Sequence, residues 1–185
     1  MIFKETSIEG LVTIEPRIFR DQRGYFYESY NARDFEAATG FKVDFVQDNQ
    51  AFSRYGVLRG LHFQLPPHTQ AKLVSVVRGK VLDVAVDLRK GSPTYGRYEA
   101  VELSGDNHLK LFIPGGFAHG YLVLSRTALF QYKCDSLYAP DAEGGLAWDD
   151  PDIGIRWPMD RDDLIFSPKD LRHGLLKDFD SPFIY

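Results

Sequence analysis

The feature that most constrains this chain is its punctuation: short runs rich in β-branched and aromatic residues alternate throughout with Gly, Pro, Asp and Asn. Such a pattern leaves little room for long helices and points to an all-β sandwich or barrel. The clearest strands are Ala71–Val77 and Lys80–Leu88. Arg78-Gly79 joins them as a hairpin, with glycine supplying the positive φ of a tight turn. In the second strand Leu82, Val84, Val86 and Leu88 share an apolar face, and Val81, Asp83, Ala85 and Asp87 share a mixed one. Further strands are expected at Glu99–Leu103, Leu109–Ile113, His119–Leu124 and Ala128–Asp135. One short peripheral helix fits Asn31–Gly40, with Asn31 as N-cap and Gly40 as the stop. From Ala139 onward the density of Asp, Pro and Gly, with Trp148 and Trp157 interspersed, suggests a tail draped over the barrel.

At 185 residues, 44% hydrophobic and 26% charged, the chain suits one domain spanning 1–185 with a full core. No apolar run is long enough to cross a bilayer and the N-terminus lacks a signal-peptide layout, so a cytoplasmic protein without a membrane partner is expected. The single cysteine, Cys134, cannot form an internal disulfide and reads as a small buried hydrophobe. A net charge of −4 without a Lys/Arg cluster argues against a nucleic-acid partner. Individual arginines can still grip a phosphate, and Arg23, Arg54 and Arg59 are the candidates.

Chemistry concentrates in two segments. Gly56-x5-His62 and Pro114-x-Gly116-x2-His119, with Lys72-x6-Gly79 between them, resemble the spacing of small barrels of the cupin type. In metal-binding members of that type three His and one Glu converge on a cation. Here Gln64 stands at the second His position and Lys72 at the Glu position. An ammonium has no lone pair and repels a cation, so no metal is expected there. An imidazole beside a fixed positive charge suits proton transfer next to a carbonyl, with His62 as base and Lys72 facing the developing oxyanion. Asp170 or Asp83 could hold the second ring nitrogen of His62, and sequence leaves the two open. Tyr132 shares a face with Ala128, Phe130 and Cys134 and would by itself read as core. Inverting a carbon beside a ketone needs a second proton-transfer group on the opposite face, and a phenol can serve.

Asp21-Gln22-Arg23-Gly24-Tyr25-Phe26-x-Glu28, Gln47-Asp48-Asn49, Gly56-Val57-Leu58-Arg59-Gly60-Leu61-His62, Pro114-x-Gly116-Phe117-Ala118-His119-Gly120 and Trp148-Asp149-Asp150-Pro151 together resemble the dTDP-4-dehydrorhamnose 3,5-epimerase family over nearly the whole chain. The resemblance implies a cupin-like jelly-roll barrel with a few short peripheral helices. It implies a cofactor-independent enzyme that inverts C3 and C5 of dTDP-4-dehydro-6-deoxy-D-glucose in dTDP-L-rhamnose biosynthesis. By it His62 is the base, Tyr132 the acid and Asp170 the partner of His62. Arg23, Glu28, Gln47, Asp48, Asn49, Arg59, Lys72, His119, Glu143 and Lys169 fall on substrate-binding positions, and Tyr138 on the thymine-stacking aromatic. The family is homodimeric, and Arg23 and Glu28 would complete the partner's site. Ala51 and Ala71 depart from a usual Ser and Gly, and one lost hydroxyl contact is worth about 1 kcal/mol. His68, His108 and His173 match no functional position and read as surface residues.

Three alternatives compete: a relative performing one inversion or a ketone isomerisation on a 4-keto-6-deoxy nucleotide sugar, a metal-dependent cupin-type enzyme, and a non-catalytic sugar-binding module. Gln64 and Lys72 oppose the second, and a module has no need of the His62, Lys72 and Tyr132 set.

Overall fold

A computed structural model describes residues 1–185. Thirteen strands and one helix follow in chain order: β1 (Ile2–Glu5), β2 (Val12–Glu15), β3 (Phe19–Asp21), β4 (Gly24–Phe26), α1 (Ala32–Thr39), β5 (Gln47–Arg54), β6 (Leu58–Gln64), β7 (Lys72–Arg78), β8 (Lys80–Asp87), β9 (Tyr98–Ser104), β10 (Lys110–Ile113), β11 (Phe117–Val123), β12 (Thr127–Cys134) and β13 (Glu143–Gly145). The six expected strands appear within three residues of their anticipated ends. Helix α1 is capped as anticipated: the Asn31 side chain accepts from the Asp34 amide, and Gly40 closes the helix in the left-handed region at φ 74°.

The strands form an antiparallel six-stranded sheet, β1-β2-β10-β7-β12-β5, a five-stranded sheet, β13-β6-β11-β8-β9, and the separate β3–β4 hairpin. The two large sheets enclose a jelly-roll interior filled by Val74, Val76, Val81, Leu103, Leu111, Phe117 and Phe130, among others. This arrangement corrects one expectation. Strands β7 and β8 do not pair as a hairpin; they lie in different sheets. Gly79, at φ 86°, turns the corner between the sheets, and a Cβ there would meet the Thr127 carbonyl oxygen at 2.1 Å. A tight hairpin and a sheet-crossing corner place the same demand on glycine, so the local sequence does not separate them.

The two faces of β8 also resolve. The apolar face, with Val84, Val86 and Leu88, lies outside the barrel, where Leu146, Ile153, Leu176 and Phe183 of the C-terminal tail cover it. The mixed face, carrying Val81, Asp83 and Ala85, turns inward. On the six-stranded sheet, Phe35 of α1 covers Leu73 and Phe112 from outside. With both outer faces sealed by apolar surface, the interior is free to carry polar chemistry.

Candidate active site

The site begins with an irregularity in β6. His62 pairs with His119 of β11, and Arg59 pairs with Tyr121, so four residues on one strand are matched by three on the other. A strict pleat puts residues three apart on opposite faces, and the extra residue restores them to one side. The bulge falls on Gly60, whose φ of 130° and close approach to Gly120 leave no room for a side chain; a Cβ would lie 2.6 Å from the Gly120 Cα. Arg59 and His62 therefore line the same cavity, while Leu61 and Phe63 pack outward under the tail.

That cavity, about 250 Å³, lies between the sheets. The five-stranded sheet contributes Arg59, His62, His119 and Tyr121, and the six-stranded sheet contributes Ala51, Lys72, Phe130 and Tyr132. His62 and Tyr132 thus reach one space from facing sheets. The tail closes it with Glu143, Ser167, Lys169 and Asp170. A smaller recess of about 90 Å³ shares His62, Lys72, Tyr132 and Glu143 and extends past Gln47, Asn49 and Tyr138.

The question of the His62 partner is settled by geometry. His62 Nε2 meets Asp170 Oδ1 at 2.7 Å, and Asp83 instead serves His119, with Nε2 to Oδ2 at 2.9 Å. With Asp170 ionised, Nε2 carries the proton and donates, which leaves the lone pair on Nδ1. Burial works against the Asp170 charge, but the hydrogen bonds from His62 and Ser167 outweigh it and hold the carboxyl well below the ordinary range. The Ser167 hydroxyl donates to Asp170 Oδ2 at 2.6 Å and the Ser167 amide adds 3.2 Å.

Lys72 opens β7 beside Cys134, its register partner on β12, and its ammonium has no hydrogen-bond partner within the chain. Burial lowers its pKa from the lysine value, with Asp83 and Glu143 among the groups pulling the other way. Burial also pushes the Tyr132 phenol up to about 12, so it is protonated across the neutral range and able to donate. Arg59 Nε donates to Ser53 Oγ at 3.1 Å. Lys169 donates to Glu143, which also accepts from the Tyr138 hydroxyl at 2.9 Å. Burial opposes the Glu143 charge, yet these two bonds keep its carboxyl below the usual range.

Other anticipated residues stand elsewhere. Gln47 and Asn49 bond to each other at 3.0 Å in the recess, and Gln47 accepts from the Tyr138 amide. Asp48, one residue out of phase, points to the outer face and pairs with Lys133 at 2.8 Å. Arg23 sits exposed on the β3–β4 hairpin, held by Asp21, and Glu28 is exposed beside Asn31; neither lines the cavity of its own chain. Arg54 faces solvent on edge strand β5 and does not line the cavity.

Two histidines expected at the surface are drawn inward, His108 fully and His173 in part. His108 is buried against the rings of Tyr25 and Tyr27, and His173 packs edge-on behind His62 with ring centroids 5.4 Å apart. Aromatic stacking partners and a glycine seat give polar side chains a place inside, and neither is visible in local sequence. Tyr121 and Ser167 were missed as lining residues; Tyr121 lies two residues beyond His119 on one strand face, a signal that period-two counting could have used.

The metal set of cupin-type barrels does not fit these residues. Gln64 is spent on loops, donating to the His68 and Leu137 carbonyls and accepting from the Ala139 amide, while Lys72 fills the carboxylate position. The family profile described as dTDP-4-dehydrorhamnose 3,5-epimerase matches residues 5–178. An enzyme of that name from Methanothermobacter thermautotrophicus is 53% identical over 169 residues, covering 91% of this chain and 90% of the relative. The crystal structure of a dTDP-6-deoxy-D-glucose-3,5-epimerase from Legionella pneumophila, in complex with dTDP-4-keto-L-rhamnose, superposes with a TM-score of 0.95 at 47% identity, covering 100% of this chain and 98% of that one. A 3'-monoepimerase from Streptomyces bikiniensis in complex with dTDP-quinovose gives a TM-score of 0.86 at 39% identity, covering 93% of this chain and 86% of that one. The profile match, the sequence identity and the structural likeness all run along nearly the whole length, and the chain belongs to the dTDP-4-dehydrorhamnose 3,5-epimerase family.

Proposed function

We propose that this protein inverts C3 and C5 of dTDP-4-dehydro-6-deoxy-D-glucose to give dTDP-4-dehydro-L-rhamnose, and that His62 and Tyr132 carry the two proton transfers. The observation that carries this reading is the entry of His62 and Tyr132 into one cavity from facing sheets, with Lys72 in the same lining. His62 Nδ1 takes the proton from the carbon beside the ketone, and the C–H electrons form the enolate C=C as the carbonyl electrons move onto oxygen. The Lys72 ammonium stabilises that oxyanion without reorganisation. Tyr132 then protonates the carbon from the opposite face, and solvent reprotonates the phenolate and relieves the imidazolium. Asp170 keeps His62 in the tautomer that leaves Nδ1 free.

Arg59 and His119 are assigned to the sugar and diphosphate, and Lys169, Glu143, Gln47, Asn49 and Tyr138 to the nucleotide end of the recess. Arg23, Glu28 and Asp48, which face away from their own cavity, are assigned to a homodimer in which the hairpin enters the partner's site. Residues 1–185 are read as one domain working in the cytoplasm, and no helix is long and apolar enough to cross a membrane.

Incubation with the 4-keto sugar nucleotide in heavy water tests the reaction. Deuterium at both C3 and C5 of an inverted product is expected. Exchange confined to C3 would favour the second reading, a single inversion, which the likeness to the Streptomyces monoepimerase keeps in play. No exchange at either carbon would sink the enzymatic reading for this substrate.

A further inference from the structure

His173 gives the His62–Asp170 pair a third donor. One ligand atom from each of His62, Asp170 and His173 lies within 4.8 Å of the other two. His173 Nε2 is buried without a hydrogen-bond partner. Its imidazole rests on Gly145, where a Cβ would meet the ring at 2.5–2.6 Å, so the missing side chain of that residue makes the seat. Gly145 itself pairs with His62 across the β13–β6 ladder, which fixes the seat relative to the base. His62 and Asp170 both line the cavity, His62 with its side chain 27% exposed and Asp170 with 3%.

We infer that His62, Asp170 and His173 form a binding site for a borderline transition-metal cation such as Zn²⁺, and that its occupancy switches the enzyme off. The cupin-type metal position, spent on Gln64 and Lys72, is not involved. Two imidazoles and one carboxylate suit Zn²⁺, and in a tetrahedral site with bonds of about 2.0–2.2 Å the donor atoms stand about 3.3–3.6 Å apart, so the ion parts the His62–Asp170 pair from its 2.7 Å hydrogen bond while His173 closes from within 4.8 Å. A metal shared with Asp170 takes the His62 nitrogen that faces Asp170, which is Nε2. The imidazole has one proton, and metal on Nε2 moves it to Nδ1, the nitrogen that must be bare to abstract a proton. The site is thus competitive with catalysis by tautomer exchange, with no net proton released. Hard Mg²⁺, which prefers oxygen, does not compete.

The inhibitory half rests on the assignment of His62 as base; the binding half does not. Chelator-stripped protein titrated calorimetrically with ZnCl₂, without substrate, should show one micromolar site, and MgCl₂ none. His173→Ala, His173→Gln and Gly145→Ala should each weaken Zn²⁺ by about tenfold or more. In the deuterium-exchange assay Zn²⁺ should inhibit the unsubstituted enzyme at the concentration that fills the site. His173→Ala should keep its basal exchange and resist about tenfold more metal. No zinc binding, or equal affinity in the unsubstituted and His173→Gln proteins, overturns the site. Binding that depends on His173 but leaves exchange untouched keeps the site and overturns His62 as the base.

Discussion

Three side chains of the cavity differ in what their protons can do. Asp170 stays ionised and Tyr132 stays protonated, the first because two donors outweigh burial and the second because burial dominates. Asp170→Ala should therefore lower kcat by about a hundredfold or more, since His62 loses its fixed tautomer, with KM little changed. Tyr132→Phe should still exchange deuterium at C3 but release no inverted product, which NMR of the recovered sugar would reveal. Lys72 carries its charge only until a pH below the ordinary lysine value near 10.5, because burial disfavours the ammonium. The alkaline decline of kcat should consequently begin before that pH, and Lys72→Met should abolish most activity and the decline with it. Tyr132, pushed up to about 12, should add no alkaline limb below that.

Among elements, bulged β6 does the most for function. Gly60→Ala forces a Cβ against Gly120 at φ 130°, and should cost about 2 kcal/mol or more in chemical denaturation. It should also reduce activity beyond what the loss of stability explains, because Arg59 and His62 then no longer share a side. An unchanged melting temperature and kcat would show that the bulge is dispensable. This element was the least legible in sequence. The strands around it are legible as β-branched runs, but β5 is mostly polar and β6 alternates poorly, so residues such as Arg59 and His62 stand out singly while the strands that carry them do not. The corner at Gly79 was misread as a hairpin for a related reason: pairing partners for β7 are β10 and β12, far along the chain.

For the molecule as a whole, two consequences follow from what lies outside the cavity. Lys110 is buried at 7% exposure with Ser29 Oγ as its hydrogen-bond partner at 3.0 Å, and burial, then Lys133, bring its pKa down to about 8. The unfolded chain binds this proton more tightly, so the folded state bears a penalty at neutral pH that fades as pH rises from about 8 toward 10.5. Lys110→Met should stabilise the protein at pH 7 by on the order of 2 kcal/mol, and the advantage should shrink by pH 10. An equal gain at both pH values would remove the charge as its cause. In the proposed homodimer, Arg23→Ala and Lys72→Ala proteins are each inactive, yet refolding them together should restore about a quarter of the activity, since half the dimers carry one intact site. No recovery would place Arg23 in its own subunit's function or in none.

The sequence by itself determined the all-β class, the capped helix, the covering tail and, through motifs spread over the chain, the His62, Tyr132 and Lys72 set. These are properties of local pattern and residue type, which period and punctuation carry directly. Only the tertiary structure decided which carboxylate serves which histidine, that the polar face of β8 is the inner one, that Asp48, Arg23 and Glu28 turn away from their own cavity, and that His173 lies behind His62. Each depends on contacts between strands distant in sequence, or on a single extra residue in a ladder, and a one-residue shift in a strand reverses every side chain that follows.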